Sequence, residues 1–363
     1  TGSALSSSFG ELVAWRSLQG LGAGGLVILS QAIIADIVSA RDRGKYMGPM
    51  GAVFGIATVA GPLLGGWFTE GPGWRWCFWP NVVIGLIAFG IAFFKLKLPS
   101  RKASTRFDWA GAILLALGTA GIVFVTSWTT ITGTTHYDWT NGWLIALLIA
   151  TIVCLVAFVI VELKVSDPLI PMPLFKSPTF SVSVAIALLI GMAMFAALSF
   201  LPTFLQMSHG MSPTASGLMM LPMTAGVMIT SIGSGLMITK TGRYKIYPIV
   251  GMAVATVSLW WLTRITADMS MVLYGAMTFV LGLGLGLVMQ TIVIAVQNSV
   301  KPGLVGVATS TNNFLREIGA AVGTSVFSTV FTNSLITKLT PIFKEVPAGE
   351  ASHLSIESLT PEA

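Results

Sequence analysis

Apolar runs of about twenty residues, broken only by short polar connectors, dominate this chain and restrict what it can become. The hydrocarbon core of a bilayer is about 30 Å thick, and a helix needs about 20 apolar residues to cross it. Stretches at 12–37, 47–69, 76–96, 109–129, 142–163, 180–206, 214–239, 246–264, 271–297 and 304–333 approach or exceed that length. They are too long for barrel strands and lack the alternation that barrels need. Backbone amides cannot pair with lipid, so each run must satisfy its own hydrogen bonds as a helix.

Composition points the same way. Hydrophobic residues make up 54% of the chain and charged ones only 9%, against roughly 25% charged in a soluble domain. The formal charge of +6 raises the question of a nucleic-acid partner, but the positive residues form no single stripe. Those near the 37–47 connector and on its side of the spans are Arg41, Arg43, Lys45, Lys95, Lys97, Arg101, Lys102, Arg106, Lys164, Lys176, Lys240, Arg243, Lys245 and Lys301. The opposite connectors hold Arg75, Arg264, Lys338 and Lys344. That asymmetry makes the first side cytoplasmic. The expected partners are a lipid bilayer and a small solute, with no nucleic acid, in a monomer.

Cys77 and Cys154 lie inside apolar runs, which argues against a disulfide framework. His136, His209 and His353 are isolated and show no metal-ligand spacing. Gly20, Gly22, Gly24 and Gly25, like Gly282, Gly284 and Gly286, sit within apolar spans with no strand before them. They read as faces where helix backbones approach closely, not as a dinucleotide loop. No phosphate-cradling Gly-Lys-Ser/Thr motif occurs, so no cofactor, metal or ATP drive is expected. No basic-then-apolar leader or starting Met opens the chain, which therefore reads as a fragment.

Several motifs follow in order. The first span carries Leu12-x-x-x-Arg16-x-x-Gln19-Gly20-x-Gly22-Ala23-Gly24. The second has Gly51-x-x-x-Gly55 and then Gly61-Pro62-x-x-Gly65-Gly66. Gly73-Trp74-Arg75-Trp76-x-Phe78-x-x-Asn81 enters the third, and Asp108-x-x-Gly111 the fourth. Glu162 is followed by Asp167-Pro168-Leu169-Ile170-Pro171 and Leu174-Phe175. Together these resemble the 14-helix drug:proton antiporters of the major facilitator superfamily.

The resemblance implies an all-α polytopic membrane protein of two helical bundles with two linker helices between them. Residues 1–98 would be helices 4–6 of the N-terminal bundle, 99–178 the linker helices 7–8 with their connectors, and 179–335 helices 9–13. Residues 336–363 would form an extracytoplasmic loop. Helices 1–3 and 14 would be missing, and with them the family's main proton-binding acid, expected on helix 1. Gly235-Leu236-x-x-x-x-Thr241-Gly242-Arg243 looks like a weakened copy, lacking the Asp, of the family's Gly-x-Leu-x-Asp-x-x-Gly-Arg loop.

Candidate functional residues follow from cost as well as resemblance. A charge inside a span costs at least about 2.5–3.5 kcal/mol, so Arg16, Arg316 and Glu317 each need a partner or a task. The resemblance implies proton relay for Arg16; the bland reading is snorkelling to the surface, with Glu11 near enough to pair. Arg316 and Glu317 are neighbours about 100° apart on a helix and are not expected to pair with each other alone. They suit either proton exchange or a charge network. Gly51, Gly55, Gly61, Pro62, Gly65 and Gly66 make a kinked face almost free of side chains, suited to a gate or to ordinary close packing.

Asp36, Arg43, Gly235, Gly242 and Arg243 are candidates for a cytoplasmic gate. Gln19, Gln31, Phe54, Met192, Phe195, Gln290, Asn312 and Asn313 are candidates for a solute cavity, the Met and Phe residues as an adaptable apolar wall. The implied activity is proton-coupled export of drugs or other amphipathic molecules by alternating access, in a bacterial inner membrane. A metabolite, siderophore or lipid exporter on the same fold stays open. A scaffold or sensor fits less well, having no need of such a glycine face. No enzymatic activity is expected.

Overall fold

The computed structural model describes residues 1–95, 107–132 and 139–345. The positive run at 97–106, His136, His353 and the tail beyond Glu345 lie outside the described residues, as does the side chain of Pro62. Every long element is an α-helix, and no strand occurs among the described residues. In chain order these are α1 (Phe9–Ile37), α2 (Arg43–Glu70), α3 (Trp79–Lys95), α4 (Trp109–Thr126), α5 (Gly142–Lys164), α6 (Pro178–His209), α7 (Leu221–Thr241), α8 (Ile246–Leu262), α9 (Met271–Asn298) and α10 (Val305–Glu345).

Polar residues set the boundaries. Ser8 opens α1 by accepting the Glu11 N–H at 3.2 Å, Asp108 opens α4 by accepting that of Gly111 at 2.9 Å, and Ser270 opens α9 by accepting that of Leu273 at 3.3 Å. Gly242, at φ 70°, ends α7 in the left-handed region, its N–H donated to the Ile238 carbonyl.

Among the described residues, eight helices are long and apolar enough to cross a membrane. Two of the stretches expected to span differ from that description. α8 is apolar but has 17 residues, and α10 runs 41 residues with Asn312, Asn313, Arg316 and Glu317 diluting its apolar character. α10 also continues to Glu345, so the first part of the segment expected as a loop from residue 336 is helical. Its Ser, Thr and Lys residues weaken the apolar signal without breaking the helix, and Pro341 lies in its last turn.

Contacts divide the chain into two compact units, residues 1–105 with 204–312, and residues 106–203 with 313–363. In the first, α7 packs against both α2 and α9, and α9 against α8. Glycine permits this: a methyl added at Gly282 would strike the Met223 carbonyl, and one at Gly284 would lie 2.6 Å from the Ala255 nitrogen. α9 is the core of this unit, with 78% of its most apolar window buried, against 11% for α1 and none for the helical stretch Trp74–Lys95. In the second unit α4 pairs with α5. α6 and α10 approach at Gly191, Gly319 and Gly323, which lie against Arg316, Leu188 and Met192.

Candidate functional site

The N-terminal half of α2 places a glycine every three or four residues: Gly44, Gly48, Gly51 and Gly55. That spacing puts them on one face of a helix, and the face lies against α7. A methyl at Gly44 would strike the Gly235 carbonyl, and one at Gly235 the Gly44 carbonyl, so the backbones touch reciprocally there. One at Gly48 would lie 2.8 Å from the Ser231 carbonyl, and one at Gly55 3.5 Å from Thr224 and Val227. Partner numbers fall as α2 numbers rise, so the two helices run antiparallel. At this separation Cα–H groups can reach carbonyl oxygens across the seam, each contact adding about 0.5–1 kcal/mol.

At the middle of the seam, Gly51 meets polar groups. A methyl there would strike the Ser231 hydroxyl and lie 2.9 Å from Gln290 of α9. Ser231 is fully buried and Gln290 is 4% exposed. Neither Ser231 Oγ nor Gln290 Oε1 has a hydrogen-bond partner.

The expected motif is split in space. Nothing lies within 4 Å of a methyl added at Gly61 or Gly65. At Gly66 the packing is close again, a methyl there lying 2.7 Å from Thr214 Oγ1, whose hydroxyl donates to Glu70 at 3.2 Å.

The positive end of the seam is pinned by side chains. The Arg43 guanidinium donates to the Ala35 carbonyl at 2.8 Å and to Asn298 Oδ1 at 3.2 Å. Arg41 Nε reaches the Thr239 carbonyl at 3.4 Å near the end of α7, where helix dipoles favour a cation. A cleft of about 390 Å³ beside it is lined by Asp36, Arg43, Pro302 and Gly303 among others. Of the expected inner-gate residues, Gly235 meets the seam directly, Arg43 ties the start of α2 to α1 and α9, and Asp36 lines the adjoining cleft. Gly242 ends α7, and the Arg243 N–H is donated to Thr241 Oγ1 at 3.3 Å. Ser231, Thr239 and Asn298 were not singled out in the sequence, although the Ser231-x-x-Ser234-Gly235 spacing is itself a close-packing signal.

Arg16 Nη1 donates to Gln19 Oε1 at 3.0 Å, and the guanidinium lies 5.8 Å from the Phe78 ring centre, on an exposed face. Glu11 is occupied by Ser7, whose N–H and hydroxyl it accepts at 2.8 and 2.9 Å. Its pairing with Arg16 is not formed. Gln19 lines a cleft of about 330 Å³ with Phe78 and Asn81. Arg316 and Glu317 do form an ion pair, at 3.2 Å, the Arg side chain 8% and the Glu 58% exposed. Their long side chains bridge the angle between adjacent positions, and because the Glu is wet the pair contributes little.

Among the cavity candidates, Gln31, Gln290, Asn312 and Asn313 are buried, whereas Phe54, Met192 and Phe195 are half-buried. Gln290 is the one that meets the glycine seam. Met192 packs against Gly323 in the α6–α10 contact. The Asp108 and Glu162 motifs come together around Gly111, where a methyl would strike Asp108 and lie 3.0 Å from Glu162 Oε1. Glu162 accepts the Leu169 and Ile170 N–H groups at 3.2 and 2.9 Å, fixing the connector to α5.

The sequence matches the family model described as Major Facilitator Superfamily over residues 1–169 and 110–324. It is 39% identical over 335 residues to an uncharacterised MFS-type transporter of Mycobacterium tuberculosis, covering 92% of this chain and 48% of the relative. It is 33% identical over 354 residues to the multidrug transporter protein MdtP of Bacillus subtilis, covering 96% of this chain and 64% of the relative. Multidrug resistance protein 3 of Bacillus subtilis is 33% identical over 350 residues, covering 96% and 67%. The chain thus spans from about half to two thirds of the length of these relatives.

Proposed function

The chain belongs to the major facilitator superfamily, and from that premise we propose that it is a large part of a proton-coupled exporter of amphipathic drugs. The α2–α7 glycine seam carries this reading. Two helices that meet backbone to backbone exclude water and ions along their contact, and glycines and Ser231 stand where larger side chains would otherwise interlock. Such a contact suits a surface that closes against leak and opens again in each cycle. On the proposed division, α2 comes from the N-terminal bundle (residues 1–98) and α7 from the C-terminal one (179–335). The linker segment is 99–178, and alternating access parts the seam.

Several other roles belong to the same reading. Arg43 and Arg41 latch the cytoplasmic end. Arg16, with Gln19 beside it, passes charge changes to the solute path, and Arg316 with Glu317 forms a second relay. Solute and protons are the partners and a bacterial inner membrane the location. The names of the two Bacillus subtilis relatives favour drugs over metabolites as cargo.

The test is dye efflux in inverted membrane vesicles carrying the full-length protein. Accumulation driven by an imposed proton gradient and abolished by an uncoupler is expected. Uncoupler-resistant, ATP-dependent uptake would refute proton coupling. Arg16→Ala should abolish efflux while membrane abundance is unchanged; efflux at the original rate would remove Arg16 from the mechanism.

A further inference from the structure

The polar groups at the centre of the seam have no evident place in a purely structural contact. Ser231 and Gln290 come from different helices and converge on Gly51, and both are more than nine-tenths buried with an oxygen left unpartnered. A buried acceptor without a donor costs about 1–3 kcal/mol. Alanine at 231 would pack the same helix face without that cost. Serine side chains in helices commonly bond back to the preceding turn, as Thr230 does here to Gly226 at 2.9 Å. Ser231 Oγ instead points across the seam to Gly51.

We propose that Ser231 and Gln290 form a hydrogen-bonding subsite for the transported solute, closed in this structure by Gly51 and uncovered when α2 and α7 part. Gln290 Oε1 can only accept, and the Ser231 hydroxyl can accept as well as donate, so the solute group that both can hold is a donor: an ammonium, an amide N–H or a hydroxyl. Gly51 then has two tasks. It allows the seam to close, and in closing it occupies the place of the solute's polar group, which ties release to closure. The proposal rests on the export reading and adds the chemical class of group that the site selects.

Two measurements on the full-length protein test it. The first compares ethidium, a cationic dye with amino N–H donors, with tetraphenylphosphonium, a cation that has none. In Ser231→Ala and Gln290→Leu, the KM for ethidium should rise about five- to tenfold, the loss of one hydrogen bond, while that for tetraphenylphosphonium stays constant. Equal changes for the two cations, or none for ethidium, would overturn the subsite and leave the export reading intact. Transport of neither cation by the unaltered protein would remove the export reading, and the subsite with it. The second measurement places Ser231→Cys in a background with the other cysteines replaced and treats it with a water-soluble thiol reagent. Labelling that ethidium suppresses is expected; a thiol that never reacts would overturn the proposal without reference to transport.

Discussion

The two halves of α2 carry the same kind of sequence and do different things. From Gly44 to Gly55 its glycines lie against the backbone and small side chains of α7, while Gly61 and Gly65 face open space. A run of glycines in one motif is therefore not one functional unit. The N-terminal half is a seam that leaves no room for a methyl group at Gly44, Gly48 or Gly51, while one at Gly55 would make ordinary contact. In the C-terminal half, glycine at 61 and 65 is not demanded by any neighbour present. Position along the helix, not membership in the motif, decides what a substitution does.

The largest effect should come from Gly235→Ala. Its methyl would enter the Gly44 carbonyl, a backbone atom that cannot swing aside. Overpacking of this kind costs about 1–3 kcal/mol, so thermal stability in detergent should fall and transport should be lost. Gly51→Ala should be milder, because the atom it meets ends a short side chain. Combining it with Ser231→Ala should recover part of the lost stability, and a double-mutant cycle on melting temperature measures that coupling. Failure of the second change to rescue the first would break the assigned contact.

Arg43→Ala removes donors from Ala35 and Asn298. A loss of about 1 kcal/mol is expected at so exposed an end, with a larger fall in transport rate than in stability. Gly61→Ala and Gly65→Ala should be close to neutral, or stabilising by up to about 1 kcal/mol through helix propensity. Retained efflux in both would sharpen the division of α2; lost efflux would show that the outer half also closes on something.

Much of this was legible before any coordinates. Hydrophobic length located the helices, since lipid leaves a backbone no alternative, and Gly51 and Gly55 stood out by spacing. α10 was less legible past residue 333, because a polar sequence lowers hydropathy without ending a helix. The pairing of Gly44 with Gly235 joins positions far apart in sequence, and periodicity along one helix says nothing about which helix it meets. Ser231 escaped notice for a related reason. A lone serine in a small-residue helix reads as packing until its neighbours across the seam are known. Arg16 shows the reverse: Glu11 was near enough in sequence, but Ser7 takes its carboxylate.

The central claim is that α2 and α7 must separate for transport. A methyl added at Gly55 of α2 would lie 3.5 Å from Val227 Cγ1 of α7, close to the Cβ separation that a disulfide needs, so cysteines at 55 and 227 in an otherwise cysteine-free full-length protein can report on it directly. Efflux is measured before oxidation, after complete cross-linking and after reduction. The account predicts that cross-linking stops efflux and reduction restores it. Efflux continuing at the original rate in the fully cross-linked protein would contradict it.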